Sequence, residues 1–134
     1  MEERKLLEFL SLAEKLKCNT RHSWTSSGRR ESVAEHTYRL MVFAWLVKDE
    51  FPDYDMNRVM ELCLFHDLGE AVTGDIPAFV KTEADEKTEE ESLMEITGML
   101  SEERKEELEG IFREVLQKQT TESILVQALD KLEA

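Results

Sequence analysis

The sequence predicts an all-α domain, a helical bundle of about six helices. Apolar residues recur at spacings of three and four along most of the 134 residues. No stretch alternates with the period of two that a half-buried strand would show. Helix start and stop signals separate the apolar stretches.

The elements follow in order. Leu6, Leu7, Phe9, Leu10, Leu12, Ala13 and Leu16 mark a first helix, closed by Cys18, Asn19 and Thr20. Residues 19–31 are polar, with Ser23, Ser26, Ser27, Gly28 and three arginines, and read as a loop. Ser32 and Glu35 form an S-x-x-E capping box, so a second helix starts there and runs to about Lys48. Its face carries Val33, Leu40, Phe43, Ala44 and Val47. Phe51-Pro52-Asp53 breaks the chain before a third helix from about Met56 to Asp67. Gly69 and Gly74-Asp75-Ile76-Pro77 predict a short irregular segment. Charged helices are expected at about 83–100 and 102–118, the second capped by Ser101. A last helix begins near Thr121, with Ile124, Leu125, Ala128, Leu129 and Leu132 as its apolar stripe. The final residues, Asp130 to Ala134, lack a Gly or Asn stop signal, so the chain is expected to be a single domain over 1–134 short of one or more C-terminal helices.

Composition bounds the function. Apolar content of 41% with 35% charged residues fits a folded globular chain. No apolar run approaches the ~20 residues that span a bilayer, and the charged N-terminus does not resemble a signal peptide. Cys18 and Cys63 make no disulfide framework, so a cytoplasmic location is expected. The net charge of −13 argues against nucleic acid, whose phosphates need a basic surface. The charge is uneven. Residues 83–109 hold twelve acidic and three basic side chains, read as a solvated helix face, whereas residues 1–48 hold nine basic and six acidic. A small anionic ligand near the N-terminal third is compatible with that distribution.

The chemistry is carried by few residues. Of three histidines, His36 lies three and four residues from Val33 and Leu40, and His66 lies seven, four and three from Val59, Leu62 and Cys63. Both therefore point inward. A lone inward histidine is usually a hydrogen-bonded core residue. Two on consecutive helices, with Asp67 beside one of them, favour a divalent cation, because a buried Asp without a partner is costly. Imidazole with carboxylate suits Mn, Fe, Co, Ni or Zn. A zinc site from Cys63 and His66 lacks a CxxC partner, and Cys63 reads better as a small core residue. Residues i and i+1 of a helix do not face the same way. For His66 and Asp67 to reach one ion, the helix must end or distort near Asp67.

Downstream, Glu70, Thr73 and Asp75 read either as a polar loop or as a site. One turn beyond His66, Glu70 could move a proton to or from water at the metal. Arg21, Arg29 and Arg30 precede the helix that carries His36, and an arginine there could reach a phosphate. His22 and Trp24 could stack on a base, although Trp24 could equally cap the core.

With these residues the chain resembles the HD-domain metal-dependent phosphohydrolases. His36, the pair His66-Asp67 and the late Asp130 match their H…HD…D pattern. The stretches Glu31 to Thr37, His66 to Pro77 and Leu125 to Glu133 are similar to the branch that holds the bacterial 5′-deoxynucleotidases and related eukaryotic HD-domain proteins. The resemblance implies one divalent metal (Mn, Co, Fe, Ni, Zn or Mg) held by His36, His66, Asp67 and Asp130. It implies that Arg21 orients the substrate phosphate, that Glu70 is the catalytic acid/base, and that Asp75 contacts the sugar. The implied reaction is hydrolysis of a (deoxy)nucleoside 5′-monophosphate by a homodimer. His22 stands where the best-known bacterial members carry Trp, beside the phosphate-orienting Arg21. Rival expectations are an HD-type phosphodiesterase, a guanosine-tetraphosphate hydrolase, or a non-catalytic helical interaction module.

Overall fold

The computed structural model describes residues 3–73 and 83–134, with side chains at 3–72 and 90–134. The expectations for Gly74, Asp75, Ile76 and Pro77, and for the side chain of Thr73, lie outside the described residues. The order is α1 (Glu3–Cys18), β1 (Thr20–Trp24), β2 (Arg30–Ser32), α2 (Val33–Val47), a 3-10 turn (Lys48–Glu50), α3 (Met56–Phe65), the single turn α4 (Glu70–Thr73), α5 (Glu83–Thr97), α6 (Glu102–Gln117) and α7 (Thr121–Glu133). The all-α class holds, with six described helices of ten residues or more.

The capping box at the start of α2 forms as expected. The Ser32 hydroxyl accepts from the Glu35 amide at 3.2 Å, and the Glu35 carboxylate accepts from the Ser32 amide at 2.8 Å. Asp55 caps α3 by accepting from the Arg58 amide, and Thr120 caps α7 by accepting from the Ser123 amide, each at 3.1 Å. Ser101 takes the position before α6 but makes no side-chain cap.

Residues 19–31 correct the loop expectation. β1 and β2 pair antiparallel, with Thr20 opposite Ser32 and Trp24 opposite Arg30. Their turn closes through Thr25 and Arg29, and Gly28 sits at φ +89°, a backbone region that L side chains rarely adopt. β1 does alternate, with Arg21 and Ser23 more buried than Thr20, His22 and Trp24. The alternation escapes a hydrophobic pattern because its inner face is polar. Trp24 is 66% exposed and lies 5.5 Å from the Arg30 guanidinium, so it does not cap the core.

The core lies between α2, α3 and α7, with α6 closing one side. Val33, Leu40, Ala44, Val59, Leu62 and Cys63 are fully buried, and Leu125, Val126 and Leu129 come from α7. Two apolar stripes differ from expectation. On α1, Leu6, Leu7 and Leu10 are exposed, and Leu16 carries the burial. On α7, Ile124, Ala128 and Leu132 face outward. The inward set of α7 is Ser123, Leu125, Val126, Leu129 and Glu133. Two polar residues occupy inward positions there, which moves the stripe away from an apolar-only reading.

Three cross-links fix the helices that carry the site. Arg58 Nε donates to Glu114 at 2.8 Å, joining α3 to α6. Ser123 Oγ donates to the Glu114 carbonyl at 2.8 Å, joining α7 to α6. Asn19 Nδ2 donates to the Glu70 carbonyl at 2.7 Å, tying the hairpin base to α4.

Candidate metal centre

α3 stops at Phe65, residues 66–69 form turns, and α4 restarts at Glu70. His66 is the C-cap of α3. The helix therefore ends where the adjacent pair requires it to, and both His66 and Asp67 reach one point. Gly69 lets this turn approach α5 closely, since a Cβ there would lie 3.0 Å from Leu93 Cδ2. α2 supplies His36 and α7 supplies Asp130.

The structure brings together all four expected ligands. His36, His66, Asp67 and Asp130 each offer one ligand atom, all within 4.8 Å of one another. His66 Nε2 lies 2.9 Å from Asp67 Oδ2 and 3.3 Å from Asp130 Oδ1. His36 Nε2 lies 2.5 Å from Asp130 Oδ1 and 3.8 Å from Asp67 Oδ2. The two rings meet edge to face with centroids 5.6 Å apart.

Both imidazoles are held from behind. His66 Nδ1 donates to the Cys63 carbonyl at 2.7 Å. His36 Nδ1 contacts the Glu133 carboxylate. Nδ1 of each ring is held by the partner behind it, so Nε2 of each faces the Asp67 and Asp130 oxygens. An imidazole nitrogen this close to carboxylates needs positive charge between them, which a proton or a bound cation supplies. His66 Nε2 is buried and makes no well-directed hydrogen bond, the signature of an atom that lacks its partner. The donor set therefore fits a divalent cation bound by nitrogen and oxygen.

The electrostatics agree. Burial opposes charge on His66, but the Asp67 and Asp130 carboxylates outweigh it and raise the imidazole to about 10. Burial likewise opposes charge on Asp130, and the neighbouring His36 and His66 imidazoles hold it well below the usual carboxylate range. Cys63 is not part of the ligand set. Burial, then the Asp130 charge, pushes its thiol up to about 12, and its sulfur is not among the converging donor atoms.

Three of the four, His66, Asp67 and Asp130, line a cleft of about 310 Å³ with Glu70, Lys118, Gln127 and Lys131. Glu70 thus stands beside the ligands. Arg21 is not on the wall of that cleft; it lies 3.2 Å from Glu31 and 3.8 Å from Glu133, the carboxylate behind His36. His22 is not brought to the cluster. As the next residue of β1 it is exposed on the opposite face from Arg21. Arg29 pairs with Glu35, and Arg30 lies over Trp24, so neither is engaged at the cluster.

The sequence reading missed Glu133, Lys118 and Lys131. Glu133 is a charged residue on a helix face judged by its apolar members. Its signal was the spacing of three from Asp130, which puts both carboxylates on one side of α7. Lys118 sits at φ 54°, an uncommon backbone conformation for a non-glycine residue that closes α6.

Residues 13–134 match the HD domain family. Human 5′-deoxynucleotidase HDDC2 is 37% identical over 134 residues, covering 97% of this chain and 65% of its own length. The Dictyostelium discoideum 5′-deoxynucleotidase HDDC2 is 32% identical over 137 residues, covering 95% of this chain and 72% of its own. The chain thus spans about 65% of the length of the human protein it resembles. Among solved structures, a predicted metal-dependent phosphohydrolase from Magnetospirillum magnetotacticum MS-1 superposes with a TM-score of 0.87 at 26% identity, covering 97% of this chain and 67% of that one. A conserved hypothetical protein from Pyrococcus furiosus superposes with a TM-score of 0.75 at 30% identity, covering 95% of this chain and 78% of that one.

Proposed function

This chain belongs to the HD-domain family, and we propose that it is a metal-dependent 5′-nucleotidase hydrolysing (deoxy)nucleoside 5′-monophosphates to nucleoside and phosphate. The observation that carries the reading is the set of two Nδ1-anchored histidines whose Nε2 atoms converge on two carboxylates at the edge of a cleft. The names of the relatives supply the reaction class.

His36, His66, Asp67 and Asp130 hold one divalent ion, drawn from Mn, Co, Fe, Ni, Zn and Mg. When bound, such an ion acidifies water and offsets phosphate charge as a Lewis acid. Glu70 is the acid/base, since it lines the same cleft as the ligands. Arg21 orients the phosphate by a planar, paired contact, for which it must exchange some of its contact with Glu31. Asp75 is assigned to the sugar, and His22, on the face of β1 opposite Arg21, is given no contact with the substrate.

The partners are small nucleotides. The net charge of −13 disfavours nucleic acid. Among the described residues no helix is long and apolar enough to cross a membrane. A cytoplasmic setting is supported by two free cysteines, one of them exposed. A homodimer is supported by exposed Tyr38, Trp45 and Leu46 on α2.

A panel of deoxy- and ribonucleoside monophosphates, phosphodiesters and guanosine tetraphosphate, each with Mn, Co, Mg and Zn, tests the reading. Turnover of monophosphates is expected, with Asp67→Ala abolishing both turnover and metal retention. Arg21→Ala should raise KM while the metal stays bound. Turnover of diesters or guanosine tetraphosphate alone, or a bound metal without turnover, would replace the proposed reaction.

A further inference from the structure

Glu133 is buried to 1% side-chain exposure, a costly place for a carboxylate. Its position follows from α7. Three residues after Asp130, it lies on the same helix face, one turn nearer the C-terminus. Its Oε2 meets His36 Nδ1 and lies 3.8 Å from Arg21 Nη1. Its Oε1 lies 3.5 Å from Arg39 Nη1 and has no hydrogen-bond partner. One buried anion therefore touches the back of a metal-ligand histidine and faces two guanidinium groups.

The two histidines of the centre differ in what holds them. His66 is oriented by a neutral backbone carbonyl at Cys63, within its own helix. His36 is oriented by a full carboxylate from a different helix. A carboxylate behind an imidazole fixes the tautomer and the ring plane, and makes the opposite nitrogen a stronger donor to a cation. The same carboxylate helps to hold Arg21, whose other anchor is Glu31 at 3.2 Å.

We propose that Glu133 is a positioning residue, which locks the His36 ring with Nε2 aimed at the metal position and ties Arg21 to that lock. The inference rests on the metal reading above and deepens it. Glu133 lies outside the four-ligand group of His36, His66, Asp67 and Asp130 and acts on it through His36. The consequence is that the phosphate-side arginine and the metal ligand share one support.

The test uses Co(II) alone as probe, by calorimetric titration and visible absorption of the full chain. Wild type is expected to bind Co(II), and His66→Ala to lose it, which assigns the ion to this centre. Glu133→Ala is expected to bind about 10–100-fold more weakly, with displaced visible bands because the His36 ring turns. Glu133→Gln keeps an acceptor oxygen for Nδ1–H and is expected to restore the bands and part of the affinity. A helical Glu133→Ala protein with wild-type affinity and bands would overturn the inference. Should Glu133→Ala fail to give a helical circular dichroism spectrum, Glu133→Asp replaces it, with the charge kept but the reach one methylene shorter, and the same outcomes apply. Absence of Co(II) binding by wild type overturns the metal reading and this inference together. Absence of nucleotide turnover alongside the expected Co(II) results counts against the proposed reaction alone.

Discussion

Cys18 stands exposed at the end of α1, whereas Cys63 is fully buried three residues before His66. Thiolate is the reactive form, and burial together with the Asp130 charge pushes Cys63 up to about 12. An aromatic disulfide reagent at pH 8 should therefore label one thiol in the native protein and two after unfolding. Two fast equivalents in the native state would show that Cys63 is not sealed in the core. The same residues show what can be read from a sequence. His36 and His66 were legible because a histidine at helical spacing among Val, Leu and Cys must face inward. Glu133 was not, because a Glu beside Leu132 looks like a solvated helix end. Only the fold brings His36 to it from 97 positions away in the chain. Arg21 was legible as a candidate by its place before α2, but its anchoring between Glu31 and Glu133 depends on the β1 pleat.

At the scale of the element, α2 is set by its N-terminus, which also fixes the height of His36. Ser32 and Glu35 close the capping box, and the Glu35 carboxylate also takes both Nη atoms of Arg29. The Arg29 hydrogen bonds, then those from Ser32, draw Glu35 down to about 2 from an ordinary 4.5. A folded-state pKa below the unfolded one stabilises above the unfolded value, and the contribution is lost as pH falls through the folded value. The stability gap between wild type and Glu35→Gln should thus be full above about 4.5 and vanish toward pH 2. A gap independent of pH would remove the charge from the account. Ser32→Ala should cost about 1 kcal/mol in a urea melt. This element was legible to within one residue, because capping is local chemistry. The β1–β2 hairpin was not, because its pairing joins polar strands whose inner face carries no apolar alternation. The α7 stripe was misread for a related reason, since Ser123 and Glu133 hold inward positions by hydrogen bonds and ion pairs rather than by apolar burial.

For the whole molecule, a cation held at the proposed centre would act as a cross-link. The candidate ligands come from α2, from the end of α3 and the turn after it, and from α7. Asp67 and Asp130 stand close to the Nε2 atoms of both imidazoles, and the raised His66 pKa records their negative potential. A cation that binds only the folded arrangement stabilises it by mass action. At a free concentration a hundred times its dissociation constant the gain is about 2.7 kcal/mol. For a domain of this size that corresponds to roughly 10 °C in the unfolding midpoint. Mn, Co or Zn should therefore raise the midpoint, a chelator should return it to the metal-free value, and His66→Ala or Asp130→Ala should remove the response. The three-helix origin of the ligands makes this demanding. Metal held by a single helix or by surface carboxylates would persist in both variants, and an equal shift in wild type and His66→Ala would place the ion elsewhere. Loss of the shift in both variants, with the apo proteins still helical, would tie metal and fold together through the junction where α3 ends at His66.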